Sequence, residues 1–187
     1  MTNSEKFRPG SAIASGWILI AFFGGFIVQS FFYASDIMLT IGICGAGALG
    51  AYLIFLKPYV LLFDEGIKIV NPTKEITATW DLVEEIETKY SMSVHIRGKA
   101  YFAWAAPAPS ARHSRRMHTT DLLPGANAPR RVGDSLKSDS GVCAYMANIR
   151  RKDFKSSGGS EFEIMSDNSG LYLLLALVLI GAGAAIF

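Results

Sequence analysis

The chain predicts an α+β membrane protein: a transmembrane helical hairpin, a small antiparallel β-barrel or sandwich domain, and a C-terminal transmembrane helix. Three observations carry this prediction. Asp36 is the only charged side chain between Trp17 and Leu56. A second uncharged apolar run closes the chain over residues 171–187. Between them lie short apolar stretches broken by turn residues at roughly eight-to-ten-residue spacing, the rhythm of a meandering sheet.

A helix rising about 1.5 Å per residue needs roughly 20 apolar residues to cross a hydrocarbon core of about 30 Å. Residues 17–35 and 37–56 each meet that length, and Asp36 sits at their join, so the economical reading is two antiparallel spans with a tight turn. Residues 171–187 are slightly short but wholly uncharged. No removable signal peptide is expected, because the first apolar region is too long and a second follows at once. Lys6 and Arg8 precede the first span, Lys57 follows the second, and Arg150, Arg151, Lys152 and Lys155 approach the third. The turn around Asp36 has no Lys or Arg. The positive-inside rule therefore predicts a plasma-membrane protein with a cytoplasmic N-terminus and central domain, and an extracytoplasmic C-terminus.

The central segment changes period at Tyr59. Tyr59–Phe63 reads as a strand, Asp64-Glu65-Gly66 as a turn with glycine placed for positive φ, and Ile67–Val70 as the returning strand. Asn71–Lys74 is a second turn, and Ile76–Trp80 is rich in β-formers. Leu82, Val83 and Ile86 then alternate with Glu84, Glu85 and Glu87, either as a strand with one wet face or as a helical turn leading into one. Met92–Ile96 and Ala100–Trp104 are strands around an Arg97-Gly98-Lys99 turn. Ser138-Asp139-Ser140 caps a helix to about Lys152, with Val142, Tyr145, Met146 and Ile149 sharing one apolar face. The boundaries drawn are a cytoplasmic tail (1–16), the hairpin (17–56), the β domain (57–109), a basic Pro/Gly loop (110–137), an amphipathic helix (138–155), a linker (156–170) and the last span (171–187).

The formal net charge of +2 is too small to imply nucleic-acid binding, but it hides a split. Residues 60–91 hold seven acidic and three basic side chains, whereas residues 110–160 hold ten basic and four acidic. Cys44 falls inside a span and Cys143 outside it, so both are expected as free thiols.

Asp64-Glu65-Gly66-Ile67-Lys68-Ile69-Val70-Asn71-Pro72, the strand ending at Trp80 with Leu82 beyond it, and Tyr101-Phe-Ala-Trp-Ala-Ala-Pro-Ala-Pro109 follow two membrane spans. This pattern resembles the small PH-like (pleckstrin-homology-like) membrane proteins of actinobacteria. The similarity covers roughly residues 17–116, and residues 138–151 resemble a common C-terminal feature of that group; the third span is less typical. The resemblance implies a PH-like barrel on a membrane hairpin with no established catalytic activity. It also implies association with large membrane assemblies, the actinobacterial respiratory supercomplex being a candidate host.

Gly45-Ala-Gly47-Ala-Leu-Gly50 matches a dinucleotide fingerprint by letter, but a membrane span offers neither the preceding strand nor phosphate access. Small residues there serve close helix approach: Gly42, Ala46 and Gly50 share one face, their expected partner being Gly24 and Gly25 of the first span or another subunit's helix. Gly181 and Gly183 give the third span a similar smooth patch. Asp36 is read as a solvated turn residue rather than a proton site, since no other acidic, basic or histidine residue lies in a span. His113, His118 and Cys143 fit no common zinc spacing, and His95 is expected in a strand as a solvent-facing or satisfied residue. No nucleophile–base pair, metal site or cofactor site is apparent, so no enzymatic activity is expected.

Arg112, Arg115 and Arg116, with His113 and His118 beside them, are the candidate contact for lipid or partner, each cation near an anionic leaflet contributing about 1 kcal/mol. Phosphoinositide recognition at the first hairpin is disfavoured by Asp64 and Glu65. The expected function is a non-catalytic accessory or scaffold subunit of a larger membrane complex. A membrane-tethered module sensing anionic lipid or ligand, and an assembly factor, are the alternatives. Expected partners are membrane lipids and an integral-membrane complex, with no nucleic acid and no small-molecule substrate.

Overall fold

The computed structural model describes residues 3–33, 36–109, 135–155 and 159–186. It is an α+β structure of four helices and eight strands among these residues, in two compact units. One unit gathers the helices α1 (Gly10–Tyr33), α2 (Ile37–Ala51) and α4 (Ser169–Ile186), together with Lys57 and the turn Pro72–Lys74. The other gathers the strands and α3 (Asp139–Asp153).

In the helical unit, Gly10–Tyr33, Ile37–Leu56 and Ser169–Ile186 are each long and apolar enough to cross a membrane. The first helix begins seven residues before the expected start, at Gly10. Pro9 precedes it, and proline suits a helix start because that position needs no intrahelical donor. The second span ends in a wider turn, Tyr52–Leu56, closed by Lys57 N–H donating to the Tyr52 carbonyl at 2.8 Å. Apolar composition all round leaves α2 without a hydrophobic face to choose, so side-chain size decides its contacts. A Cβ at Gly42 would run into the backbone of Gly181, and the Gly181 Cβ would sit 3.3 Å from Gly42 Cα. The two helices therefore meet backbone to backbone at this pair. Gly45 faces Leu177 of α4, Gly47 faces the Phe23 ring of α1, and Gly50 faces Leu174. Ala46 is half-buried on the same helix.

This corrects the expected partner of the small-residue stripe. Gly24 and Gly25 have nothing within 4 Å of where a Cβ would stand. The stripe faces the third span instead, because two facing glycines bring the α2 and α4 backbones together, whereas the Phe23 ring stands between Gly47 and α1.

Lys57, next after the second span, ties this unit at one end. Its Nζ lies 2.8 Å from Asp167 Oδ2 and donates to the Pro72 carbonyl at 2.8 Å. Asp167 N–H donates to the Thr73 carbonyl at 2.9 Å, and its Oδ1 accepts from Ser169 Oγ at 2.6 Å and Ser169 N–H at 3.1 Å. Hydrogen bonding from Lys57, then from Ser169, holds the Asp167 carboxyl down at about 2.

The strand-bearing unit contains two antiparallel sheets. The first runs in the order β1-β2-β3-β4-β8, from β1 (Glu5–Phe7), β2 (Tyr59–Phe63), β3 (Gly66–Val70), β4 (Lys74–Thr79) and β8 (Phe162–Ser166). The second runs β5-β6-β7, from β5 (Val83–Glu87), β6 (Ser91–Ile96) and β7 (Lys99–Pro107). A single turn of 3₁₀ helix, Trp80–Leu82, carries the chain between sheets, so the Leu82–Glu87 stretch is a helical turn followed by a strand. Alternate residues of both sheets (Val60, Leu62, Ile67, Ile69, Val94, Ile96) join Trp80 and α3 in one core. The buried indole is satisfied, Trp80 Nε1 donating to the Phe63 carbonyl at 3.0 Å.

One expectation is narrowed and three are corrected here. Of the barrel or sandwich expected, the sheets do not close into a barrel among the described residues. Asn71 ties the β7 edge: its Nδ2 donates to the Phe102 carbonyl at 2.8 Å, and Trp104 N–H donates to Asn71 Oδ1 at 2.9 Å. The tail contains β1, whose register Lys6↔Leu61 and Phe7↔Val60 adds it to β2. The linker contains β8, with Thr79 N–H donating to the Glu161 carbonyl at 3.1 Å just before it. Gly66 is required for space rather than for φ, since a Cβ there would collide with the Ala78 carbonyl. Positive φ falls instead at Arg97 (52°) and Gly98 (70°), the two central residues of the β6–β7 hairpin.

Candidate functional site

The sequence-predicted contact residues Arg112, Arg115 and Arg116 lie outside the described residues, as do His113 and His118. Asp36 stands at the N-terminus of α2, its carbonyl accepting from Thr40 Oγ1 at 3.0 Å. His95 is on β6, with Nε2 3.4 Å from Glu87 Oε2 on the neighbouring strand. Cys44 and Cys143 are both free. Burial, with the Asp139 charge adding to it, pushes the Cys143 thiol far up, which makes it a core atom rather than a ligand. No group of three potential metal ligands occurs among the described residues.

The most developed polar arrangement surrounds α3. Ser138 caps it, its Oγ accepting from Gly141 N–H at 3.0 Å. Asp139 follows in the first turn, where burial raises its carboxyl above the usual range. At the other end Arg150, Arg151 and Lys152 complement the helix dipole. Two of them also reach the sheets. Arg150 donates to Asp64 Oδ1 at 2.9 Å, to Glu5 Oε2 at 3.3 Å and to the Asn3 carbonyl at 2.8 Å. Arg151 donates to the Glu84 carbonyl at 2.9 Å on β5. The helix thus bridges the first sheet and the second.

The buried face of α3 is its small-residue face. Ser140, Gly141, Cys143, Ala144 and Ala147 enter the core. Tyr145 and Ile149 remain 42% exposed each, with Val142 and Met146 half-buried at the flanks. Small side chains let the helix axis approach the sheets closely, and Tyr145 and Ile149 are left facing outward. Beside this outer face is an open cleft of about 420 Å³ lined by Asn3, Glu5, Asp64, Met146, Ile149, Arg150 and Asp153. Three carboxylates against one guanidinium leave it net acidic. Asp64, which sequence reasoning placed against phosphate, is instead a partner of Arg150.

Sequence reasoning did not assemble this site. Glu5, Asp64 and Arg150 are separated by 145 and 86 positions along the chain, and no local spacing signals their convergence. The one available sign was the alternation of small and large residues in Cys143-Ala144-Tyr145-Met146-Ala147. Comparison of the chain with protein-family models, curated proteins and solved structures finds no match in any of the three.

Proposed function

We propose that this chain is a non-catalytic accessory or scaffold subunit of a larger membrane complex, its soluble unit a PH-like module that engages a partner through the outer face of α3. The observation that carries this reading is the exposed pair Tyr145 and Ile149, flanked on the same helix face by half-buried Val142 and Met146, next to an acidic cleft. Apolar residues at i, i+3, i+4 and i+7 on an exposed helix are the pattern used when a helix meets a complementary groove or segment. The cleft chemistry selects the partner: a cytoplasmic segment pairing apolar side chains with a Lys or Arg, so that its cation meets Glu5, Asp64 and Asp153.

The helical unit supports the same reading. Trp17, Ile18, Phe22, Val28 and Phe31 on α1, and Leu171, Leu173, Leu175 and Leu179 on α4, are exposed apolar side chains that lipid or an apolar protein surface would cover. The spans contain no acidic, basic or histidine residue, so nothing in them supplies the stepping stones of a transport path. Resemblance to the small PH-like membrane proteins makes a respiratory supercomplex the first host to examine.

The test is a paired purification in mild detergent from the native membrane. Wild type should carry a stoichiometric integral-membrane partner, and Tyr145→Ser with Ile149→Ser should release it while the chain stays folded. Recovery of wild type as a lone monomer overturns the subunit reading. Equal recovery of the partner by both forms overturns the α3 face.

A further inference from the structure

Lys6 lies on β1 and Arg8 one residue past its end, and the side chains of both reach one ring, that of Tyr59 on β2. Lys6 Nζ lies 4.0 Å from the centre of its ring and the Arg8 guanidinium carbon 5.6 Å. The β1–β2 register fixes the strand beneath them, and Arg8 Nε donates to the Pro58 carbonyl at 3.1 Å. Two cations are therefore gathered on one aromatic ring, and like charges so placed repel. Burial first, and Arg8 second, hold the Lys6 ammonium below its usual range. No carboxylate reaches Lys6 within 4 Å among the described residues. Stacking on the tyrosine offsets part of that repulsion; an anion between the cations would offset far more.

Chain length says where such an anion comes from. Arg8 is two residues from Gly10, the first residue of α1, so it lies within about 7 Å of that helix end. Tyr59 is three residues beyond Leu56 and lies within about 11 Å of the end of the second span. Headgroup phosphates occupy that depth, and tyrosine is enriched there because its ring is apolar and its hydroxyl wet.

We propose that Lys6 and Arg8, gathered by Tyr59, form a site for the phosphate of an anionic glycerophospholipid in the leaflet bordering the start of α1 and the end of the second span. The site is independent of the α3 face and of the arginines at 112–116, and it stands whether or not the chain has a protein partner. Its role is to fix where the soluble unit's first hairpin emerges from the bilayer.

The experiment uses the full chain in phosphatidylcholine nanodiscs with and without phosphatidylglycerol, followed by native mass spectrometry of retained lipid. Wild type should retain phosphatidylglycerol over phosphatidylcholine. K6Q/R8Q should reduce that retention about tenfold or more, while the charge-conserving K6R/R8K keeps it. Equal retention by wild type and K6Q/R8Q overturns the proposal. Free glycerol 3-phosphate that displaces the lipid at comparable concentration also overturns it, by showing a soluble phosphate site. Should K6Q/R8Q fail to fold, wild type alone decides: retention that falls with added salt supports the site, and retention indifferent to salt rejects it.

Discussion

Helices α2 and α3 solve one packing problem with opposite hydrophobic patterns. Every face of α2 is apolar, so hydrophobicity gives it no direction. In α3 a clear apolar stripe points one way, and the helix turns the other. In both cases the small residues mark the buried contact: Gly42 against Gly181 in α2, and Cys143, Ala144 and Ala147 against the sheets in α3. Where a helix must approach a backbone closely, side-chain volume outranks side-chain polarity, because dispersion contacts are lost with every fraction of an ångström of separation. The difference lies in what remains outside. Around α2 the remainder is apolar on every side, whereas on α3 it is an exposed apolar pair on an otherwise polar helix, which makes it informative about function.

The sharpest way to break this comparison is Gly42→Leu. With the Gly181 backbone in the way, the α2–α4 contact must open, at a cost of about 3 kcal/mol or more in detergent-titrated unfolding. Gly24→Leu, with open space around it, should stay within about 0.5 kcal/mol. Equal effects from the two would remove size as the deciding factor in the helical unit.

The matching pair in α3 comes next. Ala147→Leu should destabilise the chain by about 1–3 kcal/mol in chemical denaturation followed by tryptophan fluorescence, since the core has no room for three more carbons. Ile149→Ser, on the outer stripe, should change stability by no more than about 0.5 kcal/mol. A larger loss at Ile149 than at Ala147 would mean that the outward stripe is the true core face.

Asn71→Asp ranks third. The carboxylate can still accept from Trp104 N–H but can no longer donate to the Phe102 carbonyl, and about 1–2 kcal/mol should be lost. Amide exchange at Trp104 measures it, and unchanged protection there would show that β7 is held by something else.

The smallest effect is a pH dependence at Asp167. Its folded value of about 2 lies below the ordinary 3.8, so its stabilising contribution is present above about pH 4 and disappears as pH falls through 2. Asp167→Asn should flatten the thermal-midpoint profile between these limits and leave the neutral-pH trend in place. A wild-type profile already flat in that window would dismiss the Lys57–Asp167 tie as a contributor.

The spans and central hairpins were legible because each rests on local signals: uninterrupted apolar length, period-two alternation, and turns such as Arg97-Gly98. Strands β1 and β8 were not. Glu5–Phe7 and Phe162–Ser166 are short edges whose composition looks like tail and linker, and each acquires strand structure only from the β2 or β4 edge beside it. The apolar stripe of α3 was legible, but the face that the sheets bury was not, because close approach to the sheets selects small residues. The α3 cleft depended on Arg150 meeting Glu5 and Asp64 from distant parts of the chain, a convergence no window of sequence contains. The arginine cluster after Pro109 was legible as charge alone.

Cys143 offers a use beyond packing. Its sulfur is sealed in the core with its proton retained, so a thiol reagent reacts with it only during moments when α3 lifts away. Modification rate at that one atom is thus a native clock for local opening of the strand-bearing unit, readable without introducing any new residue. Anything that grips the outer stripe of α3 would slow the clock, and the slowing would measure the strength of the grip.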